Sequence, residues 1–116
     1  MSHTSKIELQ LKDKEIIEKA AESLGLRTSE GTFSLFSSKE KGIAVFLKGW
    51  RYPIVIKEDG SVAYDNYNGA WGDMKELNKF KNRYALEKAV MEARRKGYRV
   101  QEKKLNGKTR LILTKF

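Results

Sequence analysis

Residues 73–96 read as one stretch of helical sequence, with Asp73 as its cap and Gly97 as its stop. Its apolar residues do not keep to one face. Met74, Leu77, Phe80 and Tyr84 form one stripe, and Ala85, Leu86, Ala89, Val90 and Ala93 form another, rotated well over a quarter turn. Either such a helix breaks near Lys81-Asn82-Arg83 or it is covered on two sides. The expectation is the break, with a short helix followed by a longer one.

The rest of the chain supplies strands and one more helix. Residues 4–11 alternate, with Ile7, Leu9 and Leu11 facing one way, as a half-buried strand does. Asp13 is placed to cap a helix carrying Ile16, Ile17, Ala20, Ala21 and Leu24, and Gly25 suits its left-handed end. A short strand is expected around Thr32-Phe33-Ser34-Leu35-Phe36, and Gly42 to Lys48 is a strand too apolar to be solvated on both faces. Tyr52–Lys57 and Ser61–Tyr67 flank the turn Glu58-Asp59-Gly60-Ser61 and complete an antiparallel meander, with Pro53 near a strand start. The stretch from Asn66 to Gly72 is a loop by composition. Tyr98–Lys104 and Thr109–Lys115 flank Asn106-Gly107, the strongest two-residue hairpin signal. The alternation of Leu111 and Leu113 asks for a covered face, so this hairpin is expected to pair inside the main sheet. The predicted fold is a single α+β domain over residues 1–116, a two-layer sandwich of mostly antiparallel sheet with two main helices on one face.

Composition removes whole classes of chemistry. The chain has no cysteine, hence no disulfide, thiolate nucleophile or cysteine zinc site. Its single histidine, His3, excludes most zinc sites and the usual Ser-His-Asp arrangement. No apolar run is long enough to span a membrane, and the opening residues alternate instead of forming a signal-peptide core. The expected location is therefore cytoplasmic, with no membrane partner. Neither a P-loop nor a GxGxxG sequence is present. Nothing marks a catalytic carboxylate, lysine or tyrosine, and no cofactor is expected.

Charge is distributed unevenly. Residues 1–87 carry a net charge of +1, and residues 88–116 carry +8 of the total +9. Lys88, Arg94, Arg95, Lys96, Arg99, Lys103, Lys108 and Arg110 are the candidate binding residues, joined by Lys104 and Lys115 and opposed only by Glu92 and Glu102. Such a cluster attracts nucleic acid or an acidic protein, although a basic surface also serves solubility alone. If the hairpin packs beside the helix, these cations form one positive patch.

Three other groups carry chemistry. Met1-Ser2-His3 has the spacing of a square-planar Cu(II) or Ni(II) chelate, set against a structural imidazole that pins the N-terminus. Trp50, Tyr52, Tyr64, Tyr67 and Trp71 could stack bases or simply cap the core edges. Asp65, Asp73 and Glu76 could hold Mg²⁺, but carboxylates at a turn and a helix start explain them as well.

The chain also resembles a known family. Its opening Met1-Ser2-His3-Thr4-Ser5-Lys6-Ile7, and more strongly Leu77-Asn78-Lys79-Phe80, Arg83-Tyr84-Ala85, Lys96-Gly97-Tyr98 and Arg110-Leu111-Ile112-Leu113 before Phe116, are similar to the hypothetical chloroplast open reading frame 35 proteins. Residues 27–72 match poorly. The resemblance brings no catalytic residues, and its matching positions of interest are His3, Arg83 and Tyr84. It implies an accessory role beside an AAA-type ATPase or a ferredoxin-like protein, a warrant of association only. The reading that best fits the residues is a non-catalytic binding or adaptor module using its basic C-terminal face. The alternatives are an accessory subunit of such a partner and a carboxylate-dependent hydrolase or nuclease.

Overall fold

The computed structural model describes residues 11–115. His3 and the expected strand over 4–11, apart from Leu11, lie outside the described residues, as does Phe116. In chain order the elements are α1 (Lys14–Ser23), β1 (Arg27–Ser34), β2 (Lys39–Phe46), β3 (Ile54–Ile56), β4 (Val62–Ala63), a 3-10 turn at Tyr67–Gly69, α2 (Met74–Arg95), β5 (Tyr98–Leu105) and β6 (Lys108–Lys115). The fold is α+β. Strands β1 to β4 form an antiparallel sheet in sequence order, and β5 and β6 form a separate two-stranded one. Among the described residues, no helix is long and apolar enough to cross a membrane.

Helix α1 is amphipathic, burying Ile16, Ile17, Ala20 and Ala21. These pack with Val45, Leu47, Ile54 and Ile56 from the sheet and Leu77, Phe80 and Tyr84 from α2 into one core, which Leu11 joins. The register pairs Ile43 with Ile56 and Val45 with Ile54, so the inner-face side chains stand side by side. Ala44 and Val55 point to the opposite face and are fully buried too, as expected of a strand this apolar. At the β3–β4 turn, Asp59 accepts from the Ser61 hydroxyl and N–H. These bonds hold its carboxyl below the usual carboxylate range. The turn's contribution is therefore complete at neutral pH and fades as pH falls through that lowered value.

Helix α2 is continuous, which corrects the expected break at Lys81-Asn82-Arg83. The helix is covered on two sides: the first stripe is buried from Leu77 on and the second only in part, with Val90 and Ala93 buried, Leu86 half-buried and Ala85 and Ala89 exposed. Leu77, Phe80 and Tyr84 face the core with α1 and the sheet, while Val90 and Ala93 are buried farther along on the other side. That second cover is the terminal hairpin, which does not join the main sheet as expected. Gly97, at φ 91°, turns the chain back on itself directly after the helix, a left-handed step that glycine takes without strain. β5 then runs back along α2, and the alternation of Leu111 and Leu113 serves the helix instead of the sheet. Cover is partial, with Leu111 half-buried and Leu113 exposed. Asn106 and Gly107, both at positive φ, make the expected two-residue turn between the paired Leu105 and Lys108.

One long-range hydrogen bond fixes α2 to the start of α1. The Asp13 backbone N–H donates to the hydroxyl of Tyr84 at 3.2 Å, while the Asp13 carboxylate caps the N–H groups of Glu15 and Ile16. Tyr84 is fully buried, so its hydroxyl needs this partner. Tyr84→Phe is expected to cost about 0.5–1.5 kcal/mol, the net worth of one hydrogen bond. Urea unfolding should show a lower midpoint with an unchanged slope.

Candidate functional site

The alternation of a β-hairpin sorts the basic residues by face. Tyr98, Val100, Glu102 and Lys104 of β5 share the side of Thr109, Leu111, Leu113 and Lys115 of β6. Glu102 reaches Arg83 of α2 at 3.4 Å, so this side meets the helix. The opposite side carries Arg99, Gln101, Lys103 and Leu105 from β5, paired with Thr114, Ile112, Arg110 and Lys108 from β6. All of these are exposed except the half-buried Ile112. The outer face thus holds Arg99, Lys103, Lys108 and Arg110 and no carboxylate. Lys103 lies directly opposite Arg110, a like-charge pair that disfavours the hairpin by itself.

The helical cations point elsewhere. At about 100° per residue, Lys88 and Arg95 lie roughly half a turn from Leu86, Val90 and Ala93. They occupy the side of α2 away from the hairpin, and both are exposed. Arg94 and Lys96 sit at the helix C-terminus, where positive charge complements the helix dipole. The eight candidate residues therefore do not make the single patch expected of a hairpin beside a helix. They divide into a four-residue hairpin face and a group on the far side and end of α2.

Arg83 and Tyr84, singled out by resemblance, hold the fold together. The Arg83 guanidinium donates to Glu87 through Nε at 2.9 Å and through a terminal nitrogen at 2.6 Å, and reaches Glu102 at 3.4 Å. Glu87 also accepts from the Ser23 hydroxyl at 3.1 Å, which brings α1 into the same network. Beside it, a groove of about 570 Å³ runs between α2 and the hairpin tip, lined by Lys79, Asn82, Leu86, Lys104 and Lys108.

The aromatic residues converge at the N-terminal end of α2. Tyr67 stacks on Trp71 with ring centroids 4.7 Å apart, Tyr52 meets Trp71 edge-on at 5.7 Å, and Phe36 lies 5.1 Å from it. The Arg51 guanidinium sits 5.3 Å over the Trp71 ring. Phe36 is a member that sequence reading did not include, because it lies 35 residues before Trp71 and only the β1–β2 turn brings it close. Trp50 is structural: its indole N–H donates to the Asp73 carbonyl at 3.0 Å, and Gly72 packs so closely on the ring that a methyl there would overlap it. Asp73 caps the Lys75 N–H, and Glu76 pairs with Lys79. Among the described residues, no cluster of three His, Asp or Glu side chains could hold a metal ion.

If Arg83 clasps the hairpin to α2, Arg83→Met should destabilise by about 1.5–3 kcal/mol, the range for hydrogen bonds to charged groups. Hydrogen exchange should quicken in β5 and β6 before it does in β2 and β3. Arg83→Lys should restore little of this, because a single ammonium lacks the fork that spans both carboxylates.

No family model, no curated protein and no solved structure matches the chain.

Proposed function

We propose that the chain is a non-catalytic binding module that engages nucleic acid through the outer face of its C-terminal hairpin, with little dependence on sequence. The observation that carries this reading is the sorting of charge across β5 and β6. Four cations stand on the exposed side with no carboxylate among them, and the one acidic residue of the hairpin, Glu102, is turned inward onto Arg83. Lys103, Lys108 and Arg110 have no ion pair among the described residues. A solubilising surface needs only mixed charge, whereas a face of one sign creates a directed field. Phosphates spaced along a nucleic-acid strand match a row of cations on paired strands, and their neutralisation releases counterions. Cations on paired strands contact phosphates and not base edges, so affinity at this face comes from the backbone of the ligand.

Binding to a labelled duplex is expected in the micromolar range or weaker, with log K falling against log salt at a slope of about −3 to −4 for four neutralised phosphates. The combined variant Lys103→Glu, Lys108→Glu and Arg110→Glu should flatten that slope and leave the far-UV circular dichroism unchanged. The combined variant Lys88→Glu and Arg95→Glu, on the other side of α2, should alter it little. No binding at about 50 mM salt, or equal loss from both variants, overturns the assignment to the hairpin face.

A further inference from the structure

The aromatic cluster at the opposite end of α2 takes no part in the basic face, and its geometry is that of a prepared surface. We propose that Phe36, Tyr67 and Trp71, together with Arg51, form a stacking site for unpaired nucleobases, so that the chain prefers single-stranded to duplex nucleic acid. The proposal rests on the nucleic-acid reading above and adds to it the kind of strand recognised.

Three observations converge. First, the outer rings are open. Phe36 is 65% and Tyr67 62% exposed, while Trp71 behind them is half-buried and touches both. Second, the turn that presents Tyr67 is held against backbone preference. Tyr67, Asn68 and Gly69 follow one another at φ 48°, 54° and 96°. Asparagine and glycine accept that left-handed region, and a tyrosine does so only at a cost. Hydrogen bonds from the N–H groups of Gly69 and Trp71 to the Asn66 carbonyl, at 3.0 and 2.9 Å, hold the turn. The backbone that carries Tyr67 and Trp71 is thus fixed in place, which lowers the ordering cost of binding there. Third, the cluster carries its own cation. Arg51 is exposed, lies over Trp71, and has no ion pair among the described residues.

A base stacked on Tyr67 or Phe36 would bring its phosphate within the field of Arg51, so one nucleotide satisfies both features. A proline-rich peptide also docks on aromatic grooves, but it leaves the cation without an anion. A duplex keeps its base faces stacked internally and cannot use the rings. The hairpin tip reaches Lys79 and Asn82 of α2, about 10 Å along the helix axis from Asp73 at the loop end. The two surfaces therefore occupy neighbouring stretches along α2.

The test compares a thymidine oligonucleotide of about 12 residues with a blunt duplex of the same length, by anisotropy and tryptophan fluorescence. The single strand should bind more tightly and quench tryptophan, and the duplex should not quench. Phe36→Ala and Tyr67→Asn should each weaken single-strand binding about tenfold, with duplex affinity and both salt slopes unchanged. Tyr67→Asn is the cleaner variant, because asparagine suits the left-handed backbone and the fold should melt near the wild-type temperature. Tyr67→Phe, which keeps the ring, should bind as wild type does. Equal affinity for both ligands, with ring variants that change neither, overturns the stacking site and leaves the basic hairpin standing. Undiminished single-strand binding by the hairpin charge variant, with loss in the ring variants, does the reverse. Quenching by a proline-rich peptide and not by the oligonucleotide overturns the proposal in favour of a peptide.

Discussion

Arg83 stands where the buried stripe of α2 changes sides, and its guanidinium is bonded to Glu87 on its own helix and Glu102 on the hairpin. Through Glu87 the same network reaches Ser23 of α1. The body of the molecule and the terminal hairpin meet mainly on α2, and each uses a different face of it, with Leu24 at the end of α1 beside the hairpin tip. An apolar seam joins them through Tyr98, Val100 and Leu111, but all three are only half-buried and Leu113 is exposed, so that seam is thin. Two strands alone are marginal in water. The charge-assisted bonds of Arg83, whose side chain is 20% exposed, supply direction where apolar area is small.

The same residue explains why the helix read as broken. Around Lys81-Asn82-Arg83 the apolar residues pass from the face of Phe80 and Tyr84 to that of Leu86 and Val90, a change that a helix covered on one side has no use for. Covered on two sides, it needs a polar crossing point between the stripes, and Arg83 fills that position. Features set by neighbouring residues were legible: the caps Asp13 and Asp73, the Asp59 and Asn106-Gly107 turns, and the β2–β4 meander. Local chemistry determines each of these. The surface that covers Leu111 was not legible, because alternation reports that a face is hidden and not what hides it. β1 begins earlier than the expected strand around Thr32–Phe36, because an edge strand can be polar on its open side and leaves a weak pattern.

The candidate site was half legible for the same reason. Counting cations placed the excess in the last quarter of the chain, but a count has no direction. The helix period sends Lys88 and Arg95 away from the hairpin, and the strand period sends Lys104 and Lys115 inward, where Lys115 lies over the Tyr98 ring. Arg94 and Lys96 are accounted for by the C-terminal end of a long helix and need no ligand. On the outer face, Lys103, Lys108 and Arg110 form no ion pair among the described residues.

Those residues also carry a cost that the fold does not relieve. Lys103 opposite Arg110 places two positive side chains about 5 Å apart at Cβ on a two-stranded sheet with little apolar backing. A single acidic substitution at either position would ease the repulsion, and the only carboxylate of the hairpin is committed on the other side. Water and salt screen such a pair without removing it, whereas a phosphate between the two side chains converts repulsion into two attractions. An anion bound there would therefore favour the paired strands and add to the hold of Arg83 on the hairpin, by the linkage that stabilises any state a ligand prefers. In the free protein this element is held by a thin apolar seam and by the Arg83 guanidinium. In the bound state its outer face and its inner face would pull the same way.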